Sequence, residues 1–234
     1  MLKKELAIQE IDEDFKTYSN LILKQLDLLE RVLESGSDTV VDEVLKKLGK
    51  REDKVDRFEV KISEKIINVI VLYHPMASEL RKLMACYRII ISLERIGDLI
   101  LNVVKFVRKM ERTELFAQMS DIIYNMLVSS STMVQKALLS YINGDIDFAI
   151  WTIRNDDIVD EMNKKLMKKG IHKSKLSEEE REALMNLINL KSIISTIERI
   201  ADHAGHIAEA SVFSVEGTDI RHRSIDDDNS FAGS

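Results

Sequence analysis

Hydrophobic positions recur at helical spacing along almost the whole chain. Between residues 3 and 34, Ile11, Phe15, Tyr18, Ile22, Leu26, Leu29 and Leu33 follow one another by three or four, which makes one apolar stripe on a helix. Ser35-Gly-Ser-Asp38 ends it: Gly36 suits the left-handed position beyond a helix C-terminus, and Ser37 or Asp38 can cap the next helix. A second helix over 39–72 carries Val44, Leu48, Val55, Phe58, Ile62 and Val69 on one stripe, with Gly49 as a weak point. Proline is tolerated in a helix's first turn, so Pro75 predicts the start of a third helix. That helix continues to about Met110 through Leu83, Cys86, Ile90, Leu93, Gly97, Ile100 and Val104. A fourth covers 114–143, with Ile122, Met126, Met133, Ala137 and Ser140/Tyr141 on one face. Asn143-Gly-Asp145 is a turn, a fifth helix spans 146–168, and residues 170–175 form a loop. Ser177 and Glu180 fit a capping box that opens a sixth helix to about Ser214.

The order is three helices, then three again. Adding 104 to a residue number maps Glu52 to Asp156, Val55 to Val159, Asp56 to Asp160, Phe58 to Met162 and Ile62 to Leu166, without gaps. Further on, Glu94-Arg-Ile-Gly-Asp98 maps to Glu198-Arg-Ile-Ala-Asp202, and Asn102 to His206. The expected fold is all-α: two tandem three-helix bundles, residues 1–110 and 111–216, followed by a polar, disordered tail over 217–234.

Composition supports this and narrows the function. One proline and eight glycines in 234 residues are too few for a turn-rich β fold. A net charge of −6 leaves no basic excess for phosphate backbones, so nucleic acid is excluded as a partner. Cys86 is the one cysteine and lies on an apolar face, which reads as a core thiol in a reducing compartment. No apolar run is long enough to span a bilayer, and the acidic N-terminus does not read as a signal peptide. A cytoplasmic protein without membrane insertion is expected.

The chemistry-bearing feature is a set of acid pairs. Glu52/Asp56 and Glu94/Asp98 in the first half, and Asp156/Asp160 and Glu198/Asp202 in the second, are each spaced i, i+4. That spacing puts both carboxylates on one helix face, about one turn apart. One such pair carries little information; all eight acids sharing the 104-residue offset carry more. Glu94 and Asp98 lie about 100° round from the core stripe, at the bundle edge. Where the second and third helices pack antiparallel, the pairs converge into a four-carboxylate patch. Such patches suit Mg²⁺, Mn²⁺, Ca²⁺ or ferric iron. His206, one turn beyond Asp202, adds a nitrogen that widens the choice towards zinc or iron. The competing reading is solvated ion pairs with Arg51, Arg57, Arg95 and Arg199. His203 reads as a packing or surface residue, His74 as a cap or turn residue, and Trp151 as a packed aromatic. His172 has no partner visible in the sequence.

His74-Pro-Met-Ala-Ser-Glu-Leu-Arg81, Leu93-Glu-Arg-Ile-Gly-Asp98 and Ile197-Glu-Arg-Ile-Ala-Asp-His-Ala-Gly-His-Ile-Ala-Glu209 resemble the PhoU family of phosphate-uptake regulators, over nearly the whole chain to about residue 215. The resemblance implies paired three-helix bundles whose acid motifs are multinuclear metal sites. Glu52, Asp56, Glu94, Asp98, Asp156, Asp160, Glu198 and Asp202 would be the ligands. Iron or zinc is favoured, with magnesium or manganese also admitted. It further implies a cytosolic homodimer, not an enzyme, acting between a phosphate ABC transporter, at its ATPase subunit, and a sensor histidine kinase, and repressing starvation signalling. The chain departs from the family pattern at His74 (usually Gln), Glu79 (usually Asp), Asn102-Val-Val-Lys105 and His206 (usually Asn).

Two other roles stay open: a helical adaptor of a sodium–phosphate symporter, and a metal-free adaptor. A di-metal oxidase of the ferritin-like kind needs Glu-x-x-His on two helices, and that motif is absent from the sequence. There is also no nucleophile–base pair, glycine-rich phosphate loop or basic phosphate pocket in the sequence.

Overall fold

A computed structural model describes residues 3–110, 114–170 and 178–221. Six helices occur in order: α1 (Lys3–Ser35), α2 (Asp38–Tyr73), α3 (Ser78–Lys109), α4 (Glu114–Asn143), α5 (Ile146–Gly170) and α6 (Glu178–Glu216). No strand occurs among the described residues. Short connections make sequence neighbours antiparallel. Helices α1, α2 and α3 pack together, as do α4, α5 and α6, and the two groups meet chiefly along α3 and α6, with α1 also touching α4.

The stripes explain this arrangement. On α1, Ile11, Phe15, Tyr18, Ile22, Leu26 and Leu29 are buried, and Val32 takes the last place while Leu33 stays half-buried. Helix α3 is buried on more than its stripe: Ile89, Ile96, Leu99 and Val103 are covered as well as Leu83, Cys86, Ile90, Leu93, Gly97, Ile100 and Val104. A helix that packs against α1, α2 and α6 needs apolar residues on several sides. At the junction of the halves, the Phe15 and Tyr141 rings meet edge to face at 4.9 Å. The Tyr141 hydroxyl donates to the Lys82 carbonyl over 3.0 Å.

The ends of the helices differ from expectation in three places. Helix α3 begins at Ser78, not at Pro75. His74 closes α2 in the left-handed region (φ 45°), and Ala77 sits at φ 50°, ψ −117°, so the chain turns through Pro75 before it can enter the helix. Proline disfavours the right-handed helical conformation in the residue before it, which fits this turn. Ser37 occupies the position before α2, but its hydroxyl makes no capping bond. Beyond α6 the described chain runs on past Gly217, and Ile220 is buried. Asp219 accepts from Arg221 at 2.6 Å and lies 3.6 Å from Arg88 of α3. The capping box at Ser177, the loop with His172 and residues 222–234 lie outside the described residues.

Candidate functional site

Helices α2 and α3 carry the first cluster. Glu52, Asp56 and Asp98 line one narrow crevice with Gln25, Val55 and Gly97. Its free space is about 10 Å³, close to what one water occupies. Glu94 and Asp98 are half-buried beside the fully buried Leu93, while Glu52 and Asp56 are exposed on α2. Around Gly97 the three helices of this half pack at ordinary van der Waals distance. A Cβ on it would stand 3.4 Å from Ile22 Cδ1 and Val55 Cγ1, and 3.5 Å from Gln25 Oε1. Burial raises the pKa of Glu94, and the charges of Asp98, Glu59 and Asp56 raise it further, against the opposing effect of Arg95. Three acids from two helices therefore share one field with Glu94's carboxylate.

The second cluster is tighter. The carboxyl groups of Asp160 on α5 and Glu198 on α6 face each other within hydrogen-bonding reach. Burial, that contact, and the charges of Asp160 and Asp202 push Glu198 up to about 7. The Asn163 amide donates to Glu198 from the same side. Asp202 is raised by burial and by Asp160, while His206 and Arg199 pull the other way. Asp156 reaches the α6 backbone at Gly205, its Oδ2 lying 3.8 Å from where a Cβ would stand.

The two histidines of α6 divide. His206 is exposed and lines a crevice between α3 and α6 with Arg88, Ser92, Glu209 and Arg221, while its charge still acts on Asp202. His203 is half-buried, its Nδ1 buried without a hydrogen-bond partner among the described residues, and its ring meets that of His206 edge to face at 5.5 Å. Burial, then His206, Arg199 and Arg95, depress its pKa to about 4, so it is neutral at pH 7. As for the ion-pair reading, Arg95 Nε lies 3.4 Å from Glu94 Oε2 with most of the arginine in solvent, a contact of little energy.

Among the described residues no three His, Cys, Asp or Glu side chains are gathered closely enough to enclose a metal ion as they stand. The donor chemistry nevertheless fits a cation. Each cluster joins carboxylates from two helices, and burial together with the neighbouring acids holds the proton on Glu94 in the first and on Glu198 and Asp202 in the second, the situation a bound cation relieves. The first cluster offers oxygen alone, the choice of a hard cation; the second adds the Asn163 amide, with His206 at its margin.

Sequence reasoning missed Glu59, Asn163 and Tyr18. Glu59 stands at i+7 from Glu52 and i+3 from Asp56, on their face of α2, and Asn163 lies 104 residues beyond it. The offset that tied the other acids together passes over this position because only one copy is acidic. Tyr18 reads as core from its stripe, and it is core, yet burial first and then the charges of Glu94, Glu59, Asp56 and Asp98 push its hydroxyl pKa up.

The model of the PhoU domain matches the chain twice, over residues 15–107 and 118–211. The chain is 30% identical over 230 residues to the phosphate-specific transport system accessory protein PhoU homolog of Aquifex aeolicus, spanning 93% of this chain and 95% of that one. It is 26% identical over 227 residues to the homolog from Burkholderia sp., spanning 95% of each. Among solved structures, PhoU from Pseudomonas aeruginosa superposes with a TM-score of 0.79 at 22% identity, covering 92% of this chain and 99% of that one. The phosphate transport system regulatory protein PhoU from Streptococcus pneumoniae gives 0.73 at 21% identity, covering 93% and 99%. With the domain model matched in both halves and the helices in the same arrangement, the chain belongs to the PhoU family.

Proposed function

We propose that this chain regulates phosphate uptake and phosphate-starvation signalling by protein–protein contact, with cations held at its two carboxylate clusters. The observation that carries the reading is the duplicated acid cluster within a family match over residues 15–107 and 118–211. Relatives over nearly the same length are named accessory proteins of a phosphate-specific transport system. On this reading the partners are the ATPase subunit of a phosphate ABC transporter and a sensor histidine kinase. The chain works at the cytoplasmic face as a homodimer and is not an enzyme. No helix of the described chain is long and apolar enough to cross a membrane. Helix α2 also offers Val60, Ile67 and Val71, exposed on one stripe, as a face for such contacts.

The proposed ligands are Glu52, Asp56, Glu94 and Asp98 in the first half and Asp156, Asp160, Glu198 and Asp202, with His206, in the second. A cation there supplies positive charge that ties α2 to α3 and α5 to α6, and so sets the stiffness of a surface a partner can feel. Iron meets the preferences of both clusters; manganese and magnesium suit the oxygen-only first cluster, and zinc suits only the second.

Deleting the gene in its host tests the regulatory role. Phosphate-responsive transcription and phosphate uptake should both lose their dependence on external phosphate, and unchanged behaviour of both would overturn the role. Elemental analysis and Mn²⁺ titration of purified protein test the cations, with Glu94→Ala/Asp98→Ala as control. That no three such side chains gather closely among the described residues favours one other reading, a metal-free adaptor. Protein that stays metal-free on titration would establish that instead.

A further inference from the structure

Tyr18 presents a buried polar atom that the fold does not use. Its side chain is fully buried, its ring stacks on Phe58 of α2 with centroids 5.6 Å apart, and its hydroxyl has no hydrogen-bond partner among the described residues. Leaving such a hydroxyl unpaired costs the fold its desolvation without a compensating hydrogen bond. Ile22, one turn along α1 from Tyr18, stands 3.4 Å from where a Cβ on Gly97 would be, and Phe58 under the ring is the neighbour of Glu59 on α2, so Tyr18 sits near the first cluster, whose Glu94, Glu59, Asp56 and Asp98 act on it through their charges. A phenol next to anions donates a hydrogen bond; it has no reason to accept one. The second cluster is built differently at the matching place. Where α2 has Glu59, α5 has Asn163, and the Asn163 amide already donates to Glu198.

We propose that Tyr18 and Glu59 belong to the first cation site, Glu59 as a fifth carboxylate and Tyr18 as the hydrogen-bond donor to an oxygen bound at the cation. The two halves are therefore unequal: the first site holds a divalent cation more tightly than the second. This assignment rests on the cation-binding reading above. Gln25 of α1 lines the crevice with Glu52 and Asp56 of α2 and Asp98 of α3, and Tyr18 lies on the same buried stripe of α1, so a cation bound there fastens three helices. Without the cation, the carboxylates repel one another and the hydroxyl stays unpaired. With it, the carboxylates draw in and bring an acceptor oxygen to Tyr18.

The test is calorimetric titration of the full chain, stripped by chelator, with Mn²⁺ alone, beside thermal unfolding with and without Mn²⁺. Wild type should show two affinity classes. Tyr18→Phe and Glu59→Gln should each weaken the tighter class about tenfold or more, the size expected for a hydrogen bond to a charged group, and leave the weaker class in place. Glu198→Gln/Asp202→Asn should remove the weaker class only. Metal-free Tyr18→Phe should unfold at the wild-type temperature or above it, because it deletes an unsatisfied hydroxyl, and should lose much of the Mn²⁺-dependent rise. A single affinity class in wild type, an unchanged tight class in Tyr18→Phe, or loss of the tight class in Glu198→Gln/Asp202→Asn would overturn the assignment while leaving cation binding intact. A metal-free Tyr18→Phe protein that unfolds well below wild type would make the hydroxyl structural and overturn it too. Wild type that takes up no Mn²⁺ would overturn both readings.

Discussion

Asp160 on α5 and Glu198 on α6 meet carboxyl to carboxyl, with the Asn163 amide donating to the same glutamate. Two acids so placed cannot both be ionised cheaply, so the contact costs the metal-free fold stability. Glu198→Gln keeps the shape, removes the charge and adds an amide that can donate to Asp160. In chelator-treated protein at neutral pH it should raise stability by up to about 1 kcal/mol, the scale of a half-exposed charge contact. With Mn²⁺ the order should reverse, wild type gaining more. Urea unfolding with and without Mn²⁺ measures both; a destabilised metal-free variant would show that the pair is held by something other than repulsion.

Asp14 on α1 lies 2.7 Å from Lys61 Nζ and 2.9 Å from Lys65 Nζ, both on α2. Burial raises its pKa, but the two ammonium groups outweigh burial and hold it below its ordinary 3.8. A carboxylate with a depressed folded-state pKa stabilises the fold above its unfolded pKa, and that contribution disappears as pH falls through the folded value. Asp14→Asn should thus be destabilising at pH 7, by about 1 kcal/mol. The difference from wild type should shrink below about pH 4 and vanish near pH 2. Urea midpoints across that range provide the check, and a pH-independent difference would mean that packing, not charge, is lost.

The Cys86 thiol is 1% exposed. Burial, eased by Tyr141 and Lys82, pushes its pKa up to about 12. Thiolate, not thiol, is the reactive form, so the native protein should resist thiol reagents at pH 8 and react stoichiometrically once unfolded in urea. Labelling at the rate of a free cysteine in native buffer would contradict the burial of the α3–α4 junction.

Two glycines should answer differently to alanine. Gly217 ends α6 at φ 78°, and a Cβ there would stand 3.2 Å from Arg81 Nε. Gly217→Ala should cost about 1 kcal/mol from the left-handed backbone alone. At Gly97 the added Cβ meets its neighbours at 3.4 Å or more, and the helix gains about 1 kcal/mol of propensity. Gly97→Ala should therefore lie within about 1 kcal/mol of wild type, as Ala201, its counterpart in the second half, suggests. Thermal unfolding of the two variants side by side tests the contrast.

The sequence by itself determined the helices, the repeat and the acids. Stripes at spacings of three and four read directly as the buried faces of α1 and α3, because helical periodicity is a local property of the chain. The register of 104 residues put eight acids in matching places for the same reason, and the family resemblance followed from contiguous motifs. What only the tertiary structure decided is what each acid meets. The stripe of α1 reports that Tyr18 is covered; it does not report that the hydroxyl is left unpaired within reach of the charges of carboxylates on α2 and α3. Glu59 and Asn163 differ in charge, so the repeat hides them until α2 and α5 are docked. Pro75 points to a helix start, but the start waits until Ser78, because the reversal of direction between α2 and α3 governs the backbone there. Among the described residues the acids expected as metal ligands neighbour one another across two helices, with no three gathered round one point. How far carboxylates on two helices stand apart depends on side-chain packing at the interface and on the charge between them, neither of which a one-dimensional pattern contains.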